Sequence, residues 1–176
     1  METIEKYSRT EYERRWLVRP DSGWKALVEP YSRHLCDRYI DGSRLRLRHQ
    51  LDVNTGRQMW KLTKKYVPVS WFQGLISSLV LDAAEAELMS SLPADEIAKT
   101  RFYHTRVNGV TAIDVFEGDL AALVMCEIES NDLASLMRIS APPYAAAEVT
   151  GEDFFTGGTL CRITATELKK KLDSIL

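Results

Sequence analysis

Nothing in the 176 residues approaches the ~18 consecutive apolar positions that a membrane-spanning helix requires. The longest apolar stretch, Leu120 to Cys126, stops at Glu127. The opening Met1-Glu2-Thr3-Ile4-Glu5-Lys6 lacks the basic-then-apolar order of a secretory signal. Cysteine is scarce: Cys36, Cys126 and Cys161 are odd in number and share no metal-ligand spacing. They read as thiols of a reducing compartment, so the cytoplasm is the expected location. His34, His49 and His104 lie too far apart for ligand spacing, and surface or hydrogen-bonded roles are expected of them. Ser77-Ser78 has no neighbouring His and acid to make a nucleophile. Thr156-Gly157-Gly158-Thr159 lacks the Gly-Lys-Ser/Thr end of a phosphate loop and reads as a turn. Repeats, low-complexity tracts and long linkers are absent too, so residues 1–176 are expected to form one domain.

What the chain has is charge, unevenly placed. The formal net charge is only -2. Yet Arg33 to Lys65 holds nine Lys/Arg against three Asp/Glu, and Thr111 to Phe155 holds nine Asp/Glu against one Lys/Arg. A nucleic-acid binder usually leaves its basic stripe uncompensated. Here the two blocks are expected to meet in the fold, pairing directly or converging on one ligand with metal ions between.

The strongest local periodicity is two, the mark of strands. It runs through Glu11 to Val18, Arg38 to Ile40, Arg44 to Arg48, Gln58 to Thr63, Trp71 to Leu81, Thr100 to Val107, Val110 to Phe116 and Ala121 to Ser130. Asp41-Gly42, Asp52 to Gly56 and Asn108-Gly109 supply hairpin turns. Helices are expected from Asp82 to Leu92, from Asn131-Asp132 to Arg138, and after Thr164 or Thr166. Trp16, Trp24, Trp60 and Trp71 read as packing residues. The class is α+β, dominated by antiparallel sheet.

Side chains at i, i+2 and i+4 of a strand share a face. That groups Glu11, Glu13 and Arg15; Arg44, Arg46 and Arg48; Lys61, Thr63 and Lys65; and Glu127 with Glu129. Each such face could look at water. Like charges clustered on one face are destabilising without counter-ions, however. Three arginines on one strand face suit the oxygens of a phosphate, and paired carboxylates suit Mg²⁺ or Mn²⁺. The second reading is therefore a charged interior holding a metal-polyphosphate.

Glu11-Tyr12-Glu13-Arg14-Arg15-Trp16-Leu17-Val18 resembles the Glu-x-Glu-x-Lys signature of the CYTH, or triphosphate tunnel metalloenzyme, superfamily. Leu45-Arg46-Leu47-Arg48, Leu62-Thr63-Lys64-Lys65, Lys99-Thr100-Arg101-Phe102, Ile113 to Gly118, Glu127-Ile128-Glu129 and Glu148 to Gly151 resemble its later motifs, in order. The resemblance implies a closed eight-stranded antiparallel β-barrel with peripheral helices. It implies that Glu11, Glu13, Glu127 and Glu129 form a catalytic, metal-holding set for Mg²⁺ or Mn²⁺. Arg15, Arg46, Arg48, Lys65, Lys99 and Arg101 would grip phosphate, with Arg44 joining from the same face. Asp114 matches a motif slot and could equally cap a basic residue.

The activity implied is metal-dependent hydrolysis of inorganic tripolyphosphate or a small organic triphosphate. A polyphosphate- or nucleotide-binding barrel without efficient catalysis is the alternative, and a class IV adenylate cyclase a weaker one. The expected partner is a triphosphate-containing small molecule, neither DNA nor a membrane, with a homodimer left open. Two departures bear on catalysis. Arg15 stands in the lysine position of the first motif, and no carboxylate occurs between Lys65 and Asp82, where many members carry Arg-x-Glu-x-Glu.

Overall fold

In a computed structural model describing residues 6–107 and 109–176, nine strands form one antiparallel sheet that closes on itself. The strands are β1 (Arg9–Val18), β2 (Ser32–Ile40), β3 (Leu45–Asp52), β4 (Gln58–Lys65), β5 (Gln73–Leu81), β6 (Ala94–Arg106), β7 (Gly109–Phe116), β8 (Val124–Ser130) and β9 (Ala145–Glu148). Their order is β5-β4-β3-β2-β6-β7-β8-β1, and a β5–β1 pairing completes an eight-stranded barrel. This is the tunnel fold that the motifs imply.

The closure is uneven, because β1 divides one edge between two partners. Arg9 to Tyr12 pair with β5, while Trp16 to Val18 pair with β9, which the sequence pattern did not reveal. Between them the Glu13 amide donates to the Phe72 carbonyl, and the Val149 amide donates to the Arg15 carbonyl. These bonds keep the backbone of β1 satisfied where no strand runs beside it.

Alternation along each strand creates two apolar clusters. The outward residues Trp16, Val18, Ile113, Cys126 and Ile128 pack with Trp24, Leu136 and Tyr144. Leu136 belongs to helix α2 (Leu133–Arg138), which Asp132 caps by accepting from the Ser135 amide. Leu17, Ile97, Phe116 and Met125 lie two residues along their strands from Arg15, Lys99, Asp114 and Glu127, and so share their face. These four meet Phe155, Leu160 and Leu168 of the C-terminal segment, so one end of the interior is apolar.

That segment comprises α3 (Gly157–Leu160) and α4 (Ala165–Asp173), the latter started by a Thr164–Glu167 capping box. The short α3 replaces the turn expected at Thr156 to Thr159. A Cβ at Gly157 would collide with the Tyr39 hydroxyl, so any larger residue there requires Tyr39 to shift. Helix α1 (Ala83–Ser90) carries the expected Asp82 N-cap, which Glu85 completes as a capping box. Gly109 opens β7 at the expected turn, with Asn108 outside the described residues. Trp71, expected to be packed, is 65% exposed. Among the described residues no helix is long and apolar enough to cross a membrane.

Candidate active site

The barrel face that carries the charge is identified by contacts that jump a strand. Lys65 on β4 donates to Glu11 on β1 at 3.2 Å, across β5. Arg101 on β6 lies 3.7 Å from Glu127 on β8, across β7. Such spans are open only to side chains on the concave face of a closed sheet. The predicted residues Glu11, Glu13, Arg15, Arg46, Arg48, Lys65, Lys99, Arg101, Glu127 and Glu129 therefore share one interior. Arg44 does not: it is exposed and precedes β3, and only its carbonyl takes part, accepting from the Lys65 amide.

One wall is basic and held by two buried acids. Asp37 stands opposite Arg48 in the β2–β3 register and accepts two 2.6 Å hydrogen bonds from it. Arg46 lies 3.8 Å from the same carboxylate. Burial works against the Asp37 charge, but Arg46 and Arg48 hold its carboxyl well below the usual range. Asp114 on β7 accepts from Lys99 at 2.5 Å and from Arg101 at 2.7 and 2.8 Å. It too is depressed, against burial, by Arg101 and Lys99. Asp114 thus caps basic residues, the second of its two expected roles.

The facing wall is acidic and poorly neutralised. In the β1–β8 register Glu13 stands opposite Glu129 and Arg15 opposite Glu127. Burial and the neighbouring Glu127 raise Glu13. Burial, Glu127 and Glu11 raise Glu129 to about 7. Glu127 goes the other way, lowered against its burial by Arg101 and Lys99. Arg15 faces this wall, yet its guanidinium donates to the carbonyls of Phe155 (2.9 Å) and Thr150 (3.2 Å). It anchors the C-terminal segment.

A hard divalent cation suits these four glutamates, which offer only oxygen donors and whose mutual repulsion a cation would relieve. Among the described residues no three such donors gather closely enough to hold a metal ion. Glu11, Glu13 and Glu127 instead lean on Lys65, Arg15 and Arg101. The chemistry of the wall fits Mg²⁺ or Mn²⁺, and gathering the donors would require those cations to turn towards another anion.

Sequence reasoning missed one interior acid and gave one interior lysine no role. Asp37 lies outside the alternation legible from Arg38 to Ile40, because β2 begins six residues earlier, at Ser32. Lys61 was placed on the face of Thr63 and Lys65, but no motif singled it out. The histidines behave as expected: His34 pairs with Glu117, His49 with Gln58 and His104 with Tyr144.

No family model matches the sequence, and no curated protein matches it either. Solved structures do share its fold. The inorganic triphosphatase NE1496 is 20% identical with a TM-score of 0.53, the match covering 86% of this chain and 93% of that one. PH1819 from Pyrococcus horikoshii OT3 is 17% identical with a TM-score of 0.53, covering 94% of this chain and 87% of that one. A putative adenylate cyclase, bh2851 from Bacillus halodurans, is 14% identical with a TM-score of 0.54, covering 74% and 86%. At these identities the likeness establishes the fold.

Proposed function

We propose that this barrel hydrolyses inorganic tripolyphosphate or a small organic triphosphate with Mg²⁺ or Mn²⁺. The observation that carries this reading is the division of one interior into facing walls. Glu11, Glu13, Glu127 and Glu129 lie on β1 and β8, and Arg46, Arg48, Lys65, Lys99 and Arg101 on β3, β4 and β6. The inorganic triphosphatase NE1496 has the same fold, which agrees with the reading.

The basic wall binds the phosphate oxygens and stabilises the charge that builds on them as a bridging P–O bond breaks. Asp37 and Asp114 hold Arg48 and Arg101 in fixed orientations, so little reorganisation is needed as that charge develops. A glutamate of the acid wall that is not taken up by the cation would accept a proton from the attacking water. A divalent cation held by the other glutamates would neutralise the triphosphate and activate that water.

A barrel that binds polyphosphate without turnover is the second reading, favoured by one observation. The inward positions of β5 are Gly74, Ile76, Ser78 and Val80, as its registers with β1 and β4 require, so this sector offers no carboxylate.

The test is orthophosphate release from tripolyphosphate, ATP and thiamine triphosphate with Mg²⁺ or Mn²⁺, beside the double variant Glu11→Ala/Glu13→Ala. Release that falls by about a hundredfold or more in the variant is expected. Binding of tripolyphosphate without release from any substrate would leave the second reading. Pyrophosphate with a cyclic nucleotide from ATP would indicate a cyclase.

A further inference from the structure

Most cations of the basic wall already have acid partners. Arg48 has Asp37, Lys99 and Arg101 share Asp114, and Lys65 has Glu11. Lys61 has none: among the described residues its side chain makes no ion pair or hydrogen bond. It is nevertheless half-buried on the inward face of β4, opposite Arg48 on β3 and Val80 on β5. The nearby charges are mostly of its own sign. Burial first, then Arg48, Arg46 and Arg9, push its proton affinity down, and Glu129 only partly offsets them.

Close by, the Nε of Arg46 is buried with no hydrogen-bond acceptor. Arg46 faces Thr63, which lies between Lys61 and Lys65 on β4. Thr63 is 1% exposed, and its hydroxyl meets that of Ser78 on β5 at 3.0 Å. Ser78 occupies an inward position where a carboxylate would neutralise Lys61 or Lys65. A hydroxyl can donate to an anion, whereas a carboxylate would repel it. Holding an unpaired lysine beside two arginines lowers the stability of the empty protein. An anion seated among them reverses that cost.

We propose that Lys61, Arg46 (3.8 Å from Asp37 but without a hydrogen bond to it) and the Thr63–Ser78 hydroxyl pair form a phosphate seat on β3, β4 and β5, additional to the cations that hydrogen-bond to Asp37 and Asp114. The inference rests on the triphosphate reading above and assigns the seat to one phosphate of a linear polyphosphate. The β5 sector of the barrel then holds anion and leaves metal to the β1–β8 wall.

The test is calorimetric titration of sodium tripolyphosphate into the metal-free protein with EDTA present, which separates the seat from turnover and from metal. Lys61→Met should weaken binding about tenfold, the worth of one charge-assisted contact, while Lys61→Arg stays within about twofold of wild type. Ser78→Glu should weaken binding similarly by pairing with Lys61, and adding Lys61→Met to it should cost less than the two losses multiplied. The empty Lys61→Met protein should melt no lower than wild type, because it loses only repulsion. Lower melting would indicate a structural lysine and overturn the proposal. Wild-type binding that Lys61→Met leaves unchanged would overturn the seat and spare the triphosphate reading. A wild-type protein that binds no tripolyphosphate would overturn both.

Discussion

The two walls of the barrel use the same functional group to opposite effect. Asp37 and Asp114 sit among arginines and lysines, donate nothing, and are held ionised well below the ordinary carboxylate range. Glu13 and Glu129 sit beside further carboxylates and hold their protons more tightly than usual. Burial opposes the charge on all four. The sign of the outcome is decided by the neighbours. On one wall Arg48, Lys99 and Arg101 are therefore already balanced by hydrogen bonds to buried acids. The other carries more negative charge than Lys65, Arg15 and Arg101 neutralise, as the proposed metal site requires.

The comparison is broken hardest at Asp114. Replacing it with Ala removes three hydrogen bonds and, among the described residues, the only acid in contact with Lys99, leaving two buried cations side by side. Urea unfolding at pH 7 should show a loss of about 5 kcal/mol, the upper range for breaking a buried pair. Asp37→Ala strips two hydrogen bonds from Arg48 alone, and a loss of about 3 kcal/mol is expected by the same measurement. Equal losses would mean that the balance of each cluster, rather than the number of bonds broken, sets stability. The Asp37 contribution should also vanish in acid. Its folded pKa is depressed, so that stability is present above the unfolded value of 3.8 and is lost as pH falls below it.

Much of this division was legible in the sequence. Alternation in Arg46-Leu47-Arg48 and Glu127-Ile128-Glu129 fixed which charges share a face, and the two charge blocks implied that the faces meet. Pairing inside the barrel was not legible. Period two says which side of a strand a residue occupies but not which strand lies beside it. The partnership of Lys65 with Glu11 across β5 therefore had no local signal. Arg15 shows the same limit from the other side. It matches a motif slot, yet carbonyls of Thr150 and Phe155, 135 and 140 positions away, claim its guanidinium. Strand β9 escaped because Ala145-Ala146-Ala147-Glu148 has neither branched residues nor alternation to mark it. Asp37 escaped because alternation was legible only from Arg38, whereas β2 begins six residues earlier at Ser32, which hid the acid that organises the basic wall.

The gentlest way to sharpen the comparison is Glu129→Gln, which removes the acid wall's repulsion and keeps the side chain's shape. Glu129 has a folded pKa of about 7 against an ordinary 4.5. Between those values the folded protein holds a proton that the unfolded chain has released, so stability falls as pH rises. The penalty begins above pH 4.5 and is complete above pH 7, the reverse of the pH dependence at Asp37. Melting curves at pH 5 and pH 8 should therefore show the wild type losing more on the shift to pH 8 than Glu129→Gln does. The two proteins should nearly coincide at pH 5. Because water reaches Glu129 even though the crowded barrel interior partly desolvates it, the gap is expected to be small and to narrow further in high salt. Millimolar Mg²⁺ should raise the wild type at pH 8 more than the variant, since a bound cation replaces the missing proton. Curves that run parallel from pH 5 to pH 8, with and without Mg²⁺, would show that the four glutamates do not act on one another, and the acid wall would lose its claim to the metal.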